Sequence, residues 1–215
     1  MQEQLEKEKK VVMVYMEQTP NPEALKFVTN LLLLPEGSVE YGDKSSAFNC
    51  PLAYQLFDFT GVRNVFITSN FVTVTKASDI DWFEIQNIIR EFIRGFLVAG
   101  DAVFLKSEVG SRKSEVGNEA SSMGHTAPIA IGRSRSGQTT NQLEEQIKQL
   151  LDEYVKPAVE QDGGAIDFKS FDEGVVTLIL KGSCSGCPSS TLTLKSGIER
   201  LLMQMMPEVT EVIAE

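Results

Sequence analysis

Cysteine and histidine are scarce in this sequence, which contains three cysteines and one histidine. A small, odd number of cysteines argues against a disulfide-stapled secreted protein and favours a reducing compartment. A lone histidine excludes a metal-ligating histidine pair, and the sequence contains neither a phosphate-binding loop nor a recognisable catalytic triad. We therefore expect a protein that is not an enzyme.

Long apolar runs are also lacking. The longest lie at residues 11–16 and 31–34, far short of the roughly 20 residues that a membrane-spanning helix needs. The first ten residues carry charges of both signs and match neither a secretory signal nor an organellar transit peptide. These observations predict a cytoplasmic protein without a membrane partner.

Basic residues are too few to form a surface for nucleic acid. The chain has 20 Lys and Arg against 30 Asp and Glu, a net charge of -10. The net charge is -5 for residues 1–105, +2 for residues 106–139 and -7 for residues 140–215. Since neither large segment is basic, we expect no nucleic-acid partner.

Two regions of globular composition flank a stretch rich in glycine and serine, in which Lys-Ser-Glu-Val-Gly occurs at residue 106 and again at residue 113. This change in composition predicts a first domain at 1–105, a flexible linker at 106–139 and a second domain at 140–215. Treated as a flexible coil, the linker has a reach on the order of 30 Å, which would let the domains move independently.

The first domain has the pattern of an α+β layer structure. Runs rich in β-branched and aromatic residues predict strands at 11–17, 25–34, 62–68 and 71–76. A loop is expected at 35–46, a short helix at 51–59, and a longer helix between Asp81, its N-cap, and Gly100. The apolar stripe of the longer helix comprises Trp82, Ile85, Ile88, Ile89, Phe92, Ile93 and Phe96.

The sequence of the second domain also predicts an α+β fold, with elements in the order helix, strand, strand, helix, strand. The first helix begins near residue 140 and should be kinked at Pro157. A hairpin follows at 165–171 and 174–180, and a last strand at 208–214. Both domains are thus expected to be small sheets packed with helices.

Cys184 and Cys187 lie in a segment that we call the cysteine turn, residues 181–191, between a strand-like run and a helical pattern. Pro188 suits the first position of the helix. The free N–H groups and the positive end of the helix dipole should then favour thiolates and a bound anionic cluster.

The C-x-x-C spacing alone is compatible with a disulfide, a redox pair or half of a four-ligand metal site. A structural zinc site or an iron-sulfur cluster takes four ligands, and this chain is two short. Cys50 precedes Pro51 in the other half of the chain and His125 lies in the linker, so neither is expected to complete the site. A second copy of the chain across a two-fold axis would supply two more thiolates.

Two sequence motifs carry a resemblance to a known family. Asp-Gly-Gly at 162–164, followed by Gly-Ser-Cys-Ser-Gly-Cys-Pro-Ser-Ser from residue 182, resembles the NifU-type C-terminal domain of the Nfu iron-sulfur cluster carriers. Thr-Pro-Asn-Pro-Glu-Ala-Leu-Lys-Phe at 19–27, with Gly-Val at 61 and Phe-Val-Thr-Val at 71, is similar to the N-terminal domain of many Nfu proteins.

The resemblance implies that Cys184 and Cys187 of two subunits hold a bridging [4Fe-4S] cluster, with [2Fe-2S] as the alternative. It also implies a homodimer joined by the cluster, client apoproteins that receive it, and an upstream scaffold that supplies it. The first domain is then expected to select partners while the second carries the cluster. Cys50 departs from the family pattern, which has a small polar residue there, so no role is carried over to it.

Two other functions fit the C-x-x-C motif. A thioredoxin-like dithiol oxidoreductase is supported by cysteines at the start of a helix after a strand, but the second domain is small and has no β-α-β pattern after the motif. A zinc ion bridged by the same four thiolates would make the protein an assembly module. The spacing leaves these readings open, and the resemblance favours the cluster carrier.

Overall fold

The structure, a computed structural model, describes residues 11–105, 140–185 and 188–215. The predicted linker, His125 and Cys187 lie outside the described residues. Two sheets with associated helices are present, one in each half of the chain, which confirms the predicted α+β class with two small domains. Within the described ranges, no helix has both the length and the apolar character needed to cross a membrane.

The first domain is an antiparallel five-stranded sheet with two helices on one face. Its elements are β1 (Val14–Gln18), β2 (Ala24–Thr29), β3 (Leu34–Tyr41), α1 (Pro51–Leu56), β4 (Val62–Ser69), β5 (Phe71–Lys76) and α2 (Trp82–Ala99). The strand order is β1-β2-β5-β4-β3. The predicted hairpin is confirmed, because β4 pairs with β5 across the turn at Ser69 and Asn70.

The edge strand β3 corrects the prediction of a loop at residues 35–46. Its pairing with β4 is irregular between Leu34 and Ser38, where Gly37 has a φ of 75°. Pro35 and Gly37 are breakers in most strands, but an edge strand tolerates both at a bulge. Regular pairing then resumes from Ser38 to Tyr41.

Helix α2 is capped as predicted. The Asp81 carboxylate accepts a hydrogen bond of 2.9 Å from the Phe83 N–H, and Gly100 ends the helix with a φ of 78°. Ile89 and Ile93 are fully buried against the sheet. Ile88 is 57% exposed, so its assignment to the buried stripe is wrong.

The second domain packs helices on a three-stranded sheet of order β6-β7-β8. Its elements are α3 (Thr140–Leu150), α4 (Lys156–Gln161), β6 (Gly164–Asp172), β7 (Val175–Gly182), α5 (Pro188–Met205) and β8 (Glu211–Ala214). A π-helical turn, Leu151–Val155, joins α3 to α4. The predicted irregularity at Pro157 is confirmed, since proline lacks the N–H that would continue the helix.

The sheet of the first domain is covered on both faces. Along β2 every residue is buried, with Leu25 and Phe27 facing the helices. Lys26 and Val28 alternate with them and therefore point to the opposite face of the sheet. We call this the open face because α1 and α2, the helices of the first domain, do not cover it. The open face packs against the second domain, where Ala165 contacts an apolar cluster of Val28, Phe66 and Phe71.

The cysteine turn as candidate functional site

The described part of the cysteine turn is a tight reversal at the end of β7. Gly182 adopts a φ of 68°, in the left-handed region that favours glycine. The backbone N–H and the hydroxyl of Ser185 both donate to the Gly182 carbonyl, at 3.2 Å and 2.9 Å. The Thr191 hydroxyl donates to the Cys184 carbonyl at 3.0 Å, which ties the start of α5 to the turn.

The glycine pair at the start of β6, Gly163 and Gly164, forms the wall against which Cys184 rests. A Cβ atom added at Gly164 would lie 2.7 Å from the Cys184 sulfur, a distance that real Cβ atoms do not show. The Ser183 N–H donates to the Gly163 carbonyl at 3.2 Å, and its hydroxyl donates to the Asp162 carbonyl at 2.5 Å. The Asp-Gly-Gly motif and the cysteine turn are therefore one structural unit.

Cys184 is nearly enclosed, with 6% of its surface exposed. Burial raises the pKa of its thiol above the usual value; the Ser183 hydroxyl, 3.8 Å from the sulfur, lowers that pKa, and the charge of Asp162 raises it. This direction is opposite to the prediction that the start of the helix favours a thiolate. The physical reason is that the sulfur packs into the apolar core of the second domain.

The structure does not complete a ligand set around Cys184 among the described residues. Cys187 lies outside the described residues. Cys50 is fully buried in the core of the first domain, at the N-cap of α1, and burial raises its pKa. Among the described residues, no group of three or more His, Cys, Asp and Glu side chains could hold a metal ion. The set of Cys184 and Cys187 as ligands therefore stays a prediction.

The first domain contacts the cysteine turn directly, a feature that sequence reasoning missed. The Glu40 carboxylate accepts a hydrogen bond of 3.0 Å from the Gly182 N–H. It also lies 3.0 Å from the Ser185 hydroxyl, whose single proton is shared between Glu40 and the Gly182 carbonyl. The Asn21 side-chain amide donates to the Ser183 carbonyl at 3.2 Å. Asn21 belongs to the Thr-Pro-Asn-Pro segment, one of the motifs that carry the family resemblance.

A second set of contacts joins the open face to the segment before β6. The Thr73 hydroxyl donates a 2.7 Å hydrogen bond to the Gly163 carbonyl, and the Lys26 ammonium donates to the Gln161 carbonyl at 3.2 Å. Lys26 also forms a 3.0 Å ion pair with Glu17. Thr73 is completely buried and Lys26 is 7% exposed, so both are enclosed by the contact.

A groove of about 780 Å³ lies at one end of the sheet. Among its lining residues are Pro20, Pro22 and Asn21 on one side and Ile80, Trp82 and Phe83 on the other. Neither of the described cysteines, Cys50 and Cys184, lines it. Asn21 lines this groove and also binds the cysteine turn, so the Thr-Pro-Asn-Pro segment lies between the two.

Two family models match the chain. The model described as "Scaffold protein Nfu/NifU N terminal" matches residues 14–100, and the model described as "NifU-like domain" matches residues 147–213. Their order along the chain is the order inferred from the motifs.

Curated relatives match almost the whole chain. "NifU-like protein 4, mitochondrial" of Arabidopsis thaliana is 35% identical over 97% of this chain and 68% of its own length. "NFU1 iron-sulfur cluster scaffold homolog, mitochondrial" of Homo sapiens is 34% identical over 91% of this chain and 69% of its own length. The solution structure of a NifU-like protein from Saccharomyces cerevisiae is 25% identical over 45% of this chain and 87% of its own, with a TM-score of 0.41.

These relatives correct the predicted location and establish the family. Several similar proteins, from a plant, a human and a fly, are mitochondrial, which contradicts the cytoplasmic prediction. That prediction was wrong; it rested on the charge pattern of the first ten residues and on the lack of long apolar runs. The identity to relatives over more than two thirds of their length, together with both domain matches, shows that the chain belongs to the Nfu family.

Proposed function

We propose that this protein carries an iron-sulfur cluster as cargo, held by Cys184 and Cys187 of two chains, and hands it to apoproteins. The observation that carries the proposal is the position of Cys184 in a tight turn between β7 and α5, backed by Gly164. The name of the human relative, an iron-sulfur cluster scaffold homolog, supports the same role.

Two thiolates in each chain require a second chain for a four-iron cluster, because such clusters are held by four cysteine thiolates. A homodimer joined by the cargo is therefore part of the proposal. The sequence contains no recognisable catalytic triad, histidine pair or phosphate-binding loop beside these thiols, so we propose a carrier and not an enzyme.

Transfer is proposed to proceed by ligand exchange. A thiol of the client loses a proton and binds iron, and the displaced cysteine of the carrier takes up a proton. No electron changes hands in this exchange, so neither an oxidant nor a reductant is needed. A site with only two ligands in each chain suits stepwise release, since each chain gives up few bonds.

The proposal is tested by a transfer assay. The full chain is loaded anaerobically with iron and sulfide, freed of excess reagents and mixed with an apoprotein that needs a four-iron cluster for activity. We expect client activity to appear faster than with equal amounts of free iron and sulfide. Activity that appears only at the rate given by the free ions, or a chain that takes up zinc but no iron-sulfur cluster, would contradict the proposal.

A further inference from the structure

The open face of the first domain holds the cysteine turn on both sides of Cys184. Glu40 accepts hydrogen bonds from two of its residues, Gly182 and Ser185. Asn21 donates to a further carbonyl of the turn. A different domain thus fixes three polar groups that neighbour the proposed ligand.

The fit between the domains is close. A Cβ atom added at Gly163 would lie 3.1 Å from the Thr73 hydroxyl and 3.2 Å from a methyl group of Thr19. A Cβ atom at Gly182 would lie 2.7 Å from the Gly163 carbonyl oxygen of its own domain and 2.9 Å from the ring of Phe66. Thr73, Thr19 and Phe66 belong to the first domain. The two glycines therefore allow the second domain's backbone to approach the open face, which indicates a specific contact.

This docked arrangement is incompatible with a cluster shared between chains. The sulfur of Cys184 must reach iron that is also bound by another chain, yet in the turn as the first domain holds it only 6% of the residue is exposed and the thiol packs in the core of the second domain. Glu40 adds a carboxylate at the same turn, and a cluster ligated by thiolates is itself anionic, so the two charges repel. Either the first domain or the shared cluster can occupy the turn.

We propose that the open face is a cap for the cysteine turn of its own chain. The first domain docks on the turn and holds it in the arrangement that buries Cys184 in the core of the second domain, and this contact must open before two chains share a cluster. Glu40 is the residue of the cap that bonds to two groups of the turn. The protection of Cys184 does not depend on the proposed function, whereas the competition with the cluster rests on it.

The first test measures the reactivity of Cys184. The full chain, treated with a reductant and a chelator, is reacted with iodoacetamide, and tandem mass spectrometry follows Cys184 separately from Cys187. Glu40→Ala removes both hydrogen bonds from the carboxylate. The matched control is Glu36→Ala, which removes the same charge from an exposed position of the same strand.

We expect Cys184 to react about tenfold faster or more in Glu40→Ala than in the wild-type chain, because hydrogen bonds to a charged acceptor shift an equilibrium by at least that factor. Glu36→Ala should react like the wild type. Glu40→Gln preserves the side-chain size and is therefore less prone to misfold than Glu40→Ala. It keeps one acceptor oxygen, so Cys184 should react at an intermediate rate.

The second test measures competition with the cluster. During anaerobic titration with iron and sulfide, Glu40→Ala should form the cluster-bridged dimer at several-fold lower iron than Glu36→Ala. Equal alkylation rates in all variants would overturn the cap, even if every variant binds a cluster. If Glu40→Ala exposes Cys184 but no variant binds a cluster, the proposed function fails and the protection stands.

Discussion

The Thr73 hydroxyl donates a 2.7 Å hydrogen bond to the Gly163 carbonyl, across a contact between two domains that a long segment separates in sequence. Both partners are buried, and Gly163 immediately precedes the glycine that backs Cys184. This bond links the sheet of the first domain to the segment that shapes the proposed cluster site. A change in the first domain can therefore alter the site without touching a ligand.

Replacing Thr73 tests the strength of this link. Thr73→Val removes the hydroxyl and one of the two hydrogen bonds to the buried Gly163 carbonyl, which keeps the bond from the Ser183 N–H, so the loss should be that of a typical hydrogen bond, about 0.5–1.5 kcal/mol. Valine suits a strand as well as threonine does, so the first domain itself should be unharmed. We expect a fall of that size in the free energy of unfolding, measured by denaturant titration.

Thr75→Val is the matched control, because Thr75 lies on the same strand and the same face. It should change the free energy of unfolding by less than about 0.5 kcal/mol. Equal losses in the two variants would show that the Thr73 bond does not stabilise the domain contact.

A methyl group at Gly164 should displace Cys184. In Gly164→Ala the new Cβ atom would meet both the Cys184 sulfur and the Lys181 carbonyl oxygen at 2.7 Å, so the backbone or the thiol has to move. We expect a loss of roughly 1–3 kcal/mol in stability and less cluster per chain after reconstitution, measured as bound iron and sulfide.

Gly197→Ala is the control for Gly164→Ala, because it adds the same methyl group to the same domain away from Cys184. Gly197 lies within α5, and an added Cβ atom there has no neighbour within 4 Å in the part of the chain that the structure describes. Alanine should stabilise the helix by about 0.5–1 kcal/mol and leave iron binding unchanged. Equal iron content in Gly164→Ala and Gly197→Ala would argue against the role of Gly164 in positioning Cys184.

Substitution of each cysteine should distinguish the two proposed iron ligands from Cys50. Cys184→Ser and Cys187→Ser should each lose most of the bound iron, because each removes one of two proposed ligands per chain. Cys50→Ala should retain it, since Cys50 is enclosed in the core of the first domain. Iron content and the visible spectrum of the reconstituted proteins give the measurement. Loss of iron in Cys50→Ala equal to that in Cys184→Ser would contradict this division.

The first domain should lose stability at alkaline pH through Tyr41. Burial, followed by the charge of Cys50 and the hydrogen bond to it, raises the pKa of Tyr41 to about 12 from the ordinary value of 10.0. Between these values the unfolded chain releases the phenol proton while the folded chain keeps it. The free energy of unfolding should therefore fall as pH rises from 10 to 12.

Tyr41→Phe removes this titration. Urea unfolding at pH 8 and pH 11 should show a smaller loss of stability in the variant than in the wild type. A parallel loss in both chains would assign the alkaline sensitivity to other groups, of which Cys50 is the nearest because its pKa is also raised by burial.

Local signals made much of the fold predictable. Asp81 and Gly100 bound α2 in sequence as in the structure, and the β4–β5 hairpin follows from β-branched runs around a short turn. Strand β3 was missed because Pro35 and Gly37 indicate a loop locally, whereas its pairing with β4 is set by a partner distant in sequence.

The contact between the domains could not be predicted for a related reason. Lys26 and Thr73 are polar residues that alternate with apolar ones along their strands, a pattern typical of a face exposed to water. Phe66 and Phe71 lie on the same face and were the available signal, since two aromatic residues there indicate burial. The position of Cys184 in a strand-to-helix turn was predictable, and its burial was not.

Native mass spectrometry of the anaerobically reconstituted full chain tests the central claim most directly. The account predicts a dimer whose added mass equals one four-iron, four-sulfide cluster, about two irons per chain, because four thiolates from two chains hold it. Cys184→Ser and Cys187→Ser should give monomer without that added mass. A cluster of the same mass on a monomer, or a colourless dimer that carries only zinc, would contradict the account.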